Sequence, residues 1–380
     1  MPIRDFRVAI AESDLDDLQH RLRAARWDTP APNLGGRVGI EDAFLRRLVD
    51  HWQHRFDWRD VERRINLHSN ILCDVDGTTL HALQQKSADP HAIPLLLIHG
   101  WPGSFLEFLH LIEPLTAAAD SPAFHVVCPS IPGYGFSSKP GATGMNTRAI
   151  APLFVQLMKQ LGYDRFLVQG GDWGSLIGTQ VARQFPDHCL GLHLNLAFSQ
   201  PPPDVADPMT LVEAHERVWV EELAQLYKDG MGYAGIHSTR PQTLAYGLND
   251  SPLGLAAWIG EKYVAWSDPD VAADRGSEQS IPMDRILANI SLYWFTQTIG
   301  SSIRLYYEDF RDPGPAPFVT VPTGMAIFPK ELVKAPKRWN EKRYNLVHWT
   351  LQQRGGHFAA MEVPELFLAD LRQFAAQVRS

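Results

Sequence analysis

Cysteine is scarce in this chain: Cys73, Cys128 and Cys189 are the only three in 380 residues. An odd number at wide spacing makes neither a disulfide framework nor a metal-ligand pattern. Cys128, inside the apolar run FHVVC, reads as a buried thiol. Long apolar runs are missing too. No segment approaches the ~20 apolar residues of a membrane helix, and the opening MPIRDFRVAIAESDLDD lacks the apolar stretch of a signal peptide. Positive charge is in deficit: 35 Lys and Arg against 43 Asp and Glu give a formal charge of -8. That argues against nucleic acid or an anionic membrane surface as partner. These absences predict a cytoplasmic protein with no membrane anchor, and the chemistry expected of its candidate residues needs neither metal nor organic cofactor. A homodimer stays open.

What is present is an ordinary globular balance, 45% hydrophobic and 21% charged. Aromatics at 10%, with 11 Trp, suggest a pocket lined by rings. Residues 1–90 read as a helical collar. Ser13 can cap a helix carrying Leu15, Leu18 and Leu22 on one face, and a second helix runs through Phe44, Leu45, Leu48, Val49 and Trp52. CDVDGTTLHAL places Asp76-Gly77 between alternating stretches, which predicts a β-hairpin.

From residue 91 the rhythm becomes strand, loop, helix. IPLLLIHG, FHVVC and RFLVQ are buried strands, and Ile150, Leu153, Phe154, Leu157, Met158 and Leu161 mark a helix closed by Gly162. QPPPDVADP breaks the rhythm at 200, and helices rich in Trp and Tyr follow before FVTVPTGMAIFP and YNLVHWT resume it. The predicted fold class is α/β: an α/β-hydrolase fold with a mostly parallel sheet and helices on both faces. Core segments 91–199 and 315–380 are separated by a helical lid over 200–314.

The stretch VQGGDWGSLIG has the layout of a nucleophile elbow, with Asp172 at its apex and Gly170, Gly171 and Gly174 around it. Alone, Asp172 could merely cap the next helix. Two further residues weigh against that. IFPKE offers Glu331 after a late strand, and RGGHFAA offers His357 after the last one, giving the chain order nucleophile, acid, histidine. An aspartate suits attack on a saturated carbon. A serine would form an inert ether there, whereas a carboxylate forms an ester that water can cleave. His357, oriented by Glu331, would activate that water. The oxyanion needs backbone N–H donors, expected from Trp173 and from Trp101 in HGWPGS, where His99, Gly100 and Pro102 shape the turn.

HGWPGSFLEF, GGDWGS, FPKE and RGGHFAA together resemble the α/β-hydrolase epoxide hydrolases, in the branch similar to microsomal epoxide hydrolase. LQHRLRAARW through HRFDWRDVERRIN resembles that branch's N-terminal domain. The resemblance implies two lid tyrosines that hold and protonate the epoxide oxygen, matching Tyr233 and Tyr306, with Tyr307 as the adjacent alternative. It also implies a small hydrophobic epoxide and water as reactants, giving a vicinal diol through an aspartyl ester. Two other readings remain at this point. A haloalkane dehalogenase would share the aspartate but need no phenolic acid, and a ligand-binding protein on this fold would need no triad.

Overall fold

The computed structural model, which describes residues 3–30, 34–117, 122–196, 198–277 and 279–379, gathers nine strands into one sheet. They are β1 (Arg4–Phe6), β2 (Ser69–Val75), β3 (Thr78–Gln85), β4 (Ile93–Ile98), β5 (Phe124–Pro129), β6 (Phe166–Gly170), β7 (Cys189–Leu194), β8 (Val319–Ile327) and β9 (Tyr344–Leu351). The order is β1-β2-β3-β5-β4-β6-β7-β8-β9. Pairing is parallel from β5 through β9 and antiparallel from β1 to β5.

The apolar runs predicted as strands make the parallel part, and their alternation feeds two cores. In β4, Leu96 and Ile98 enter one buried cluster while Leu95 and Leu97 enter the other, as the two-residue period of a strand requires. The first cluster is completed by the helices Thr147–Gln160 and Trp173–Gln184, through Phe154 and Ile177. The second is completed by the C-terminal helix Pro364–Arg379, through Phe367, Leu371 and Phe374. Each such fully buried side chain contributes ~1.5–3 kcal/mol. The sheet is therefore held rigid where it must aim its strand ends.

The N-terminal segment carries the predicted hairpin beside its helices. Asp76 and Gly77 take φ of 46° and 80°, as a two-residue hairpin turn requires. They join β2 to β3, which extends the central sheet through β5. Pairing of this kind depends on a distant edge, which local periodicity does not carry. The first helix runs Glu12–Arg23 with Ala11, not Ser13, at its N-cap. Ser13 lies within a first turn already supplied with the acidic Glu12 and Asp14. The helices Glu12–Arg23 and Asp42–His54 pack on helix Pro252–Ala265 of the segment predicted as lid. Trp52 Nε1 also donates to Ser291 Oγ at 2.9 Å. Residues 208–311 are helical almost throughout. Among the described residues no helix is long and apolar enough to cross a membrane.

Candidate active site

β6 ends at Gly170, and the helix Trp173–Gln184 begins three residues later. So sharp a turn puts Asp172 at φ 49° and ψ −129°, a conformation that costs ~1–3 kcal/mol and persists only where the surroundings enforce it. The enforcement is steric: a Cβ on Gly174 would lie 2.0 Å from the Ile98 carbonyl oxygen, and one on Gly170 would lie 2.2 Å from that of Gly174. Asp172 occupies the N-cap position, yet its carboxyl makes no capping hydrogen bond. The carboxyl is directed elsewhere. Oδ1 accepts a 2.7 Å hydrogen bond from the Trp101 N–H, and Oδ2 lies 3.5 Å from His357 Nε2. Ser175, the nearby hydroxyl, donates to the Asp172 carbonyl at 2.7 Å and is held on the backbone.

The Trp101 donor is presented by a turn that His99 pins from inside. The Ile131 N–H donates to His99 Nε2 at 3.2 Å, so Nδ1 is left to donate to the Gly100 carbonyl at 3.0 Å. Burial holds this imidazole neutral by lowering its pKa to about 4. Pro102 follows Trp101 through a cis peptide bond, and its carbonyl accepts from the Asn289 amide. The Trp173 N–H opens the elbow helix, where it has no partner within the helix itself. Gly100 has no space for a side chain, since a Cβ would sit 2.2 Å from Asp172 Oδ1. Gly100→Ala is accordingly expected to displace the carboxylate and lower kcat/KM by ~10²-fold or more, with far-UV circular dichroism unchanged. Activity within threefold of the parent would contradict this geometry.

His357 sits on the loop after β9. Its Nδ1 lies 2.7 Å from Glu331 Oε1, and the two side chains are only 3% and 1% exposed. Glu331 Oε1 also accepts the Leu332 N–H at 2.6 Å. Burial alone would lower the His357 pKa, but the Glu331 carboxylate, followed by Asp172, raises it well above the usual histidine value. The loop is tied to residues 266–268. The His357 N–H donates to the Trp266 carbonyl at 2.9 Å, and the Gly355 N–H donates to Asp268 Oδ2 at 2.7 Å. Glu362 completes the clamp by accepting the N–H groups of Asp268 at 2.6 Å and Phe358 at 3.0 Å.

Tyr233 lies on helix Gly232–Thr239 and Tyr306 on Ile299–Arg311. The Tyr233 ring stacks on Trp101 at 5.5 Å, and the Tyr306 ring meets Trp173 edge-on at 4.7 Å. The two rings are 5.9 Å apart. They thus cover the two tryptophans that flank the Asp172 carboxyl. Tyr307 lies instead under the Arg311 guanidinium, 3.5 Å from its ring centroid. Burial, then the charge of Asp172, raises the Tyr233 pKa above the usual phenol range. Burial, then Tyr233 and Asp172, does the same for Tyr306. Both stay protonated at neutral pH and can donate.

Three residues of this cluster are not evident from the sequence. His237, one turn beyond Tyr233, packs against Trp101 at 4.7 Å and Tyr306 at 4.9 Å. Its Nε2 accepts from the Trp258 indole at 3.1 Å. Lys262 places its ammonium 4.5 Å over the Tyr233 ring. Trp266 meets Tyr233 at 5.2 Å and His357 at 5.1 Å. The four-residue spacing from Tyr233 to His237 was the one sequence signal available, since it places both on one helix face.

The family described as "Epoxide hydrolase N terminus" matches residues 3–108, and "alpha/beta hydrolase fold" matches residues 93–226. The chain is 36% identical to Epoxide hydrolase 1 of Sus scrofa, over 98% of this chain and 88% of that one. It superposes on the Aspergillus niger epoxide hydrolase structure with a TM-score of 0.89 at 35% identity, covering 100% of this chain and 97% of the other. For the juvenile hormone epoxide hydrolase of the silkworm Bombyx mori the TM-score is 0.92 at 31% identity, covering 100% and 95%.

Proposed function

The chain belongs to the epoxide hydrolases of the α/β-hydrolase fold, and on that premise we propose that it converts a hydrophobic epoxide to a vicinal diol through an ester on Asp172. The observation that carries this reading is the division of the Asp172 carboxyl between Trp101 N–H at Oδ1 and the imidazole side at Oδ2. Oδ2 attacks a ring carbon, and the C–O bond of the epoxide breaks. Tyr233 and Tyr306 stabilise the ring oxygen and supply its proton. The result is a hydroxyalkyl ester whose carbonyl oxygen, Oδ1, already lies at the Trp101 donor.

His357 then takes a proton from water, whose oxygen adds to the Asp172 carbonyl carbon. The resulting oxyanion is held by the N–H groups of Trp101 and Trp173. Collapse breaks the bond to Oδ2, which leaves with the diol and takes up the proton from the imidazolium. Asp172 keeps the oxygen that came from water, and the second proton of that water passes to the phenolate left by ring opening, which restores both the carboxylate and the phenol. Glu331 orients the imidazole and stabilises its cation. A halide would leave without a proton, so a pair of phenols packed on Trp101 and Trp173 favours the epoxide. Turnover of styrene oxide with none of a 1-haloalkane is the expected result; the reverse would overturn the assignment.

The His357 pKa gives the two half-reactions their order. In the free protein Asp172 helps to keep the imidazole cationic. Ester formation removes that charge, the imidazole pKa falls, and the ring becomes a competent base. The decay rate of a preformed ester should therefore rise with pH through the imidazole pKa to a plateau. Its midpoint should lie below the His357 midpoint measured by NMR in the free protein. Equal midpoints would contradict the coupling.

A further inference from the structure

A carboxyl that the mechanism above does not use stands beside it. Glu107 follows HGWPGS on the short turn Phe105–Leu111, which Ser104 caps by accepting the Leu106 N–H at 3.2 Å. Its carboxyl lies over Gly103, where a Cβ would fall 1.3 Å from Glu107 Oε1. Glu107 lines a cavity of about 20 Å³ together with Asp172, His357, Asn195, Gly171 and Trp101, and no described residue of the 200–314 segment lines it. That volume is room for about one water molecule. Burial pushes the Glu107 carboxyl up to about 8, with His357 lowering and Asp172 raising it, so it is a neutral acid at pH 7 and adds no competing charge.

A hydrolytic water must point one lone pair at the Asp172 carbonyl carbon and give one proton to His357. Its other proton and other lone pair need partners, or the water tumbles. Asn195 Oδ1 accepts from Gln169 Nε2 at 2.8 Å, which fixes the amide and leaves Nδ2 as its donor; the amide lies against Gly171, where a Cβ would meet Nδ2 at 2.6 Å and Oδ1 at 2.7 Å. The missing acceptor is the Glu107 carboxyl. We propose that Glu107 is a water-positioning residue of the second half-reaction, its carboxyl oxygen accepting a hydrogen bond from the O–H of the hydrolytic water that His357 does not deprotonate, while Asn195 donates to the spare lone pair of that water. The inference rests on the aspartyl-ester reading.

The test is rapid mixing with styrene oxide, acid quench and intact mass, which gives ester formation and ester decay separately for the parent, E107Q and E107L. Leucine removes the acceptor; the glutamine amide oxygen restores it. The expected outcome for E107L is ester formation within about threefold of the parent and ester decay slowed ~10²-fold or more. E107Q should decay within about tenfold of the parent. The formation rate reports whether the site is folded, and E107A replaces E107L should the leucine protein not fold. Parent-like decay in E107L and E107A, or equal loss of both steps, overturns the role. So does E107Q decaying as slowly as E107L. Ester absent from the parent under all conditions would instead overturn the covalent reading, and this inference with it.

Discussion

His357→Gln is expected to convert the enzyme into a protein that reacts once. With styrene oxide it should gain one ester per active site, at a formation rate near that of the parent, and then stop. Steady-state kcat should fall ~10³–10⁴-fold, the range for losing a general base that works as part of a unit. The physical reason is the separation of tasks in the site. Asp172 is an intrinsically competent nucleophile, and attack needs only its ionised carboxyl, the Trp101 N–H and the phenols. Water is a poor nucleophile and needs a base, and His357 is the imidazole within 3.5 Å of the carboxyl oxygen. Intact mass spectrometry reads the result: a stable adduct of the mass of the epoxide. A variant that turns over within tenfold of the parent, or one that never forms the adduct, would move the base elsewhere.

The double variant Tyr233→Phe, Tyr306→Phe should fail one step earlier. Ester formation should fall ~10³-fold or more, because an alkoxide would have to leave into a buried site with no proton donor. Phenylalanine keeps the packing on Trp101 and Trp173, so stability should change little. Each single variant should lose less, ~10–10²-fold, since the remaining phenol still donates. Decay of whatever ester forms should stay near the parent rate in all three. The comparison with Tyr307→Phe is the control, because that ring lies under Arg311 and its loss should leave both steps unchanged. A double variant that opens the epoxide at the parent rate would contradict the assignment of either tyrosine.

Much of this site can be read from the chain because its parts are local. The glycines around Asp172 and the HGWPGS turn are short, sterically dictated motifs, and strand ends position Glu331 and His357 in a fixed chain order. Tyr306 could be preferred over Tyr307 only by resemblance, and the structure supplies the physical difference: one ring meets Trp173 and the other a guanidinium. What was not legible is what depends on distant contacts. The clamp on the His357 loop joins Asp268 to Glu362, 94 residues apart, and neither looks unusual in its own segment. Glu107 lies inside the motif HGWPGSFLEF, yet nothing local places its carboxyl beside Asp172 and His357. The hairpin of β2 and β3 is legible from Asp76-Gly77, whereas β1 and the pairing of β3 with β5 are not, since an antiparallel edge is defined by its partner.

A single turnover in 18O-labelled water, with enzyme in excess over epoxide, followed by peptide mass spectrometry, tests most directly whether Asp172 carries the substrate. One heavy oxygen retained in the Asp172 carboxylate, with an unlabelled diol, is the predicted result. Label found in the diol after the first turnover, with Asp172 unlabelled, would mean that water attacks the epoxide itself and that no ester is formed.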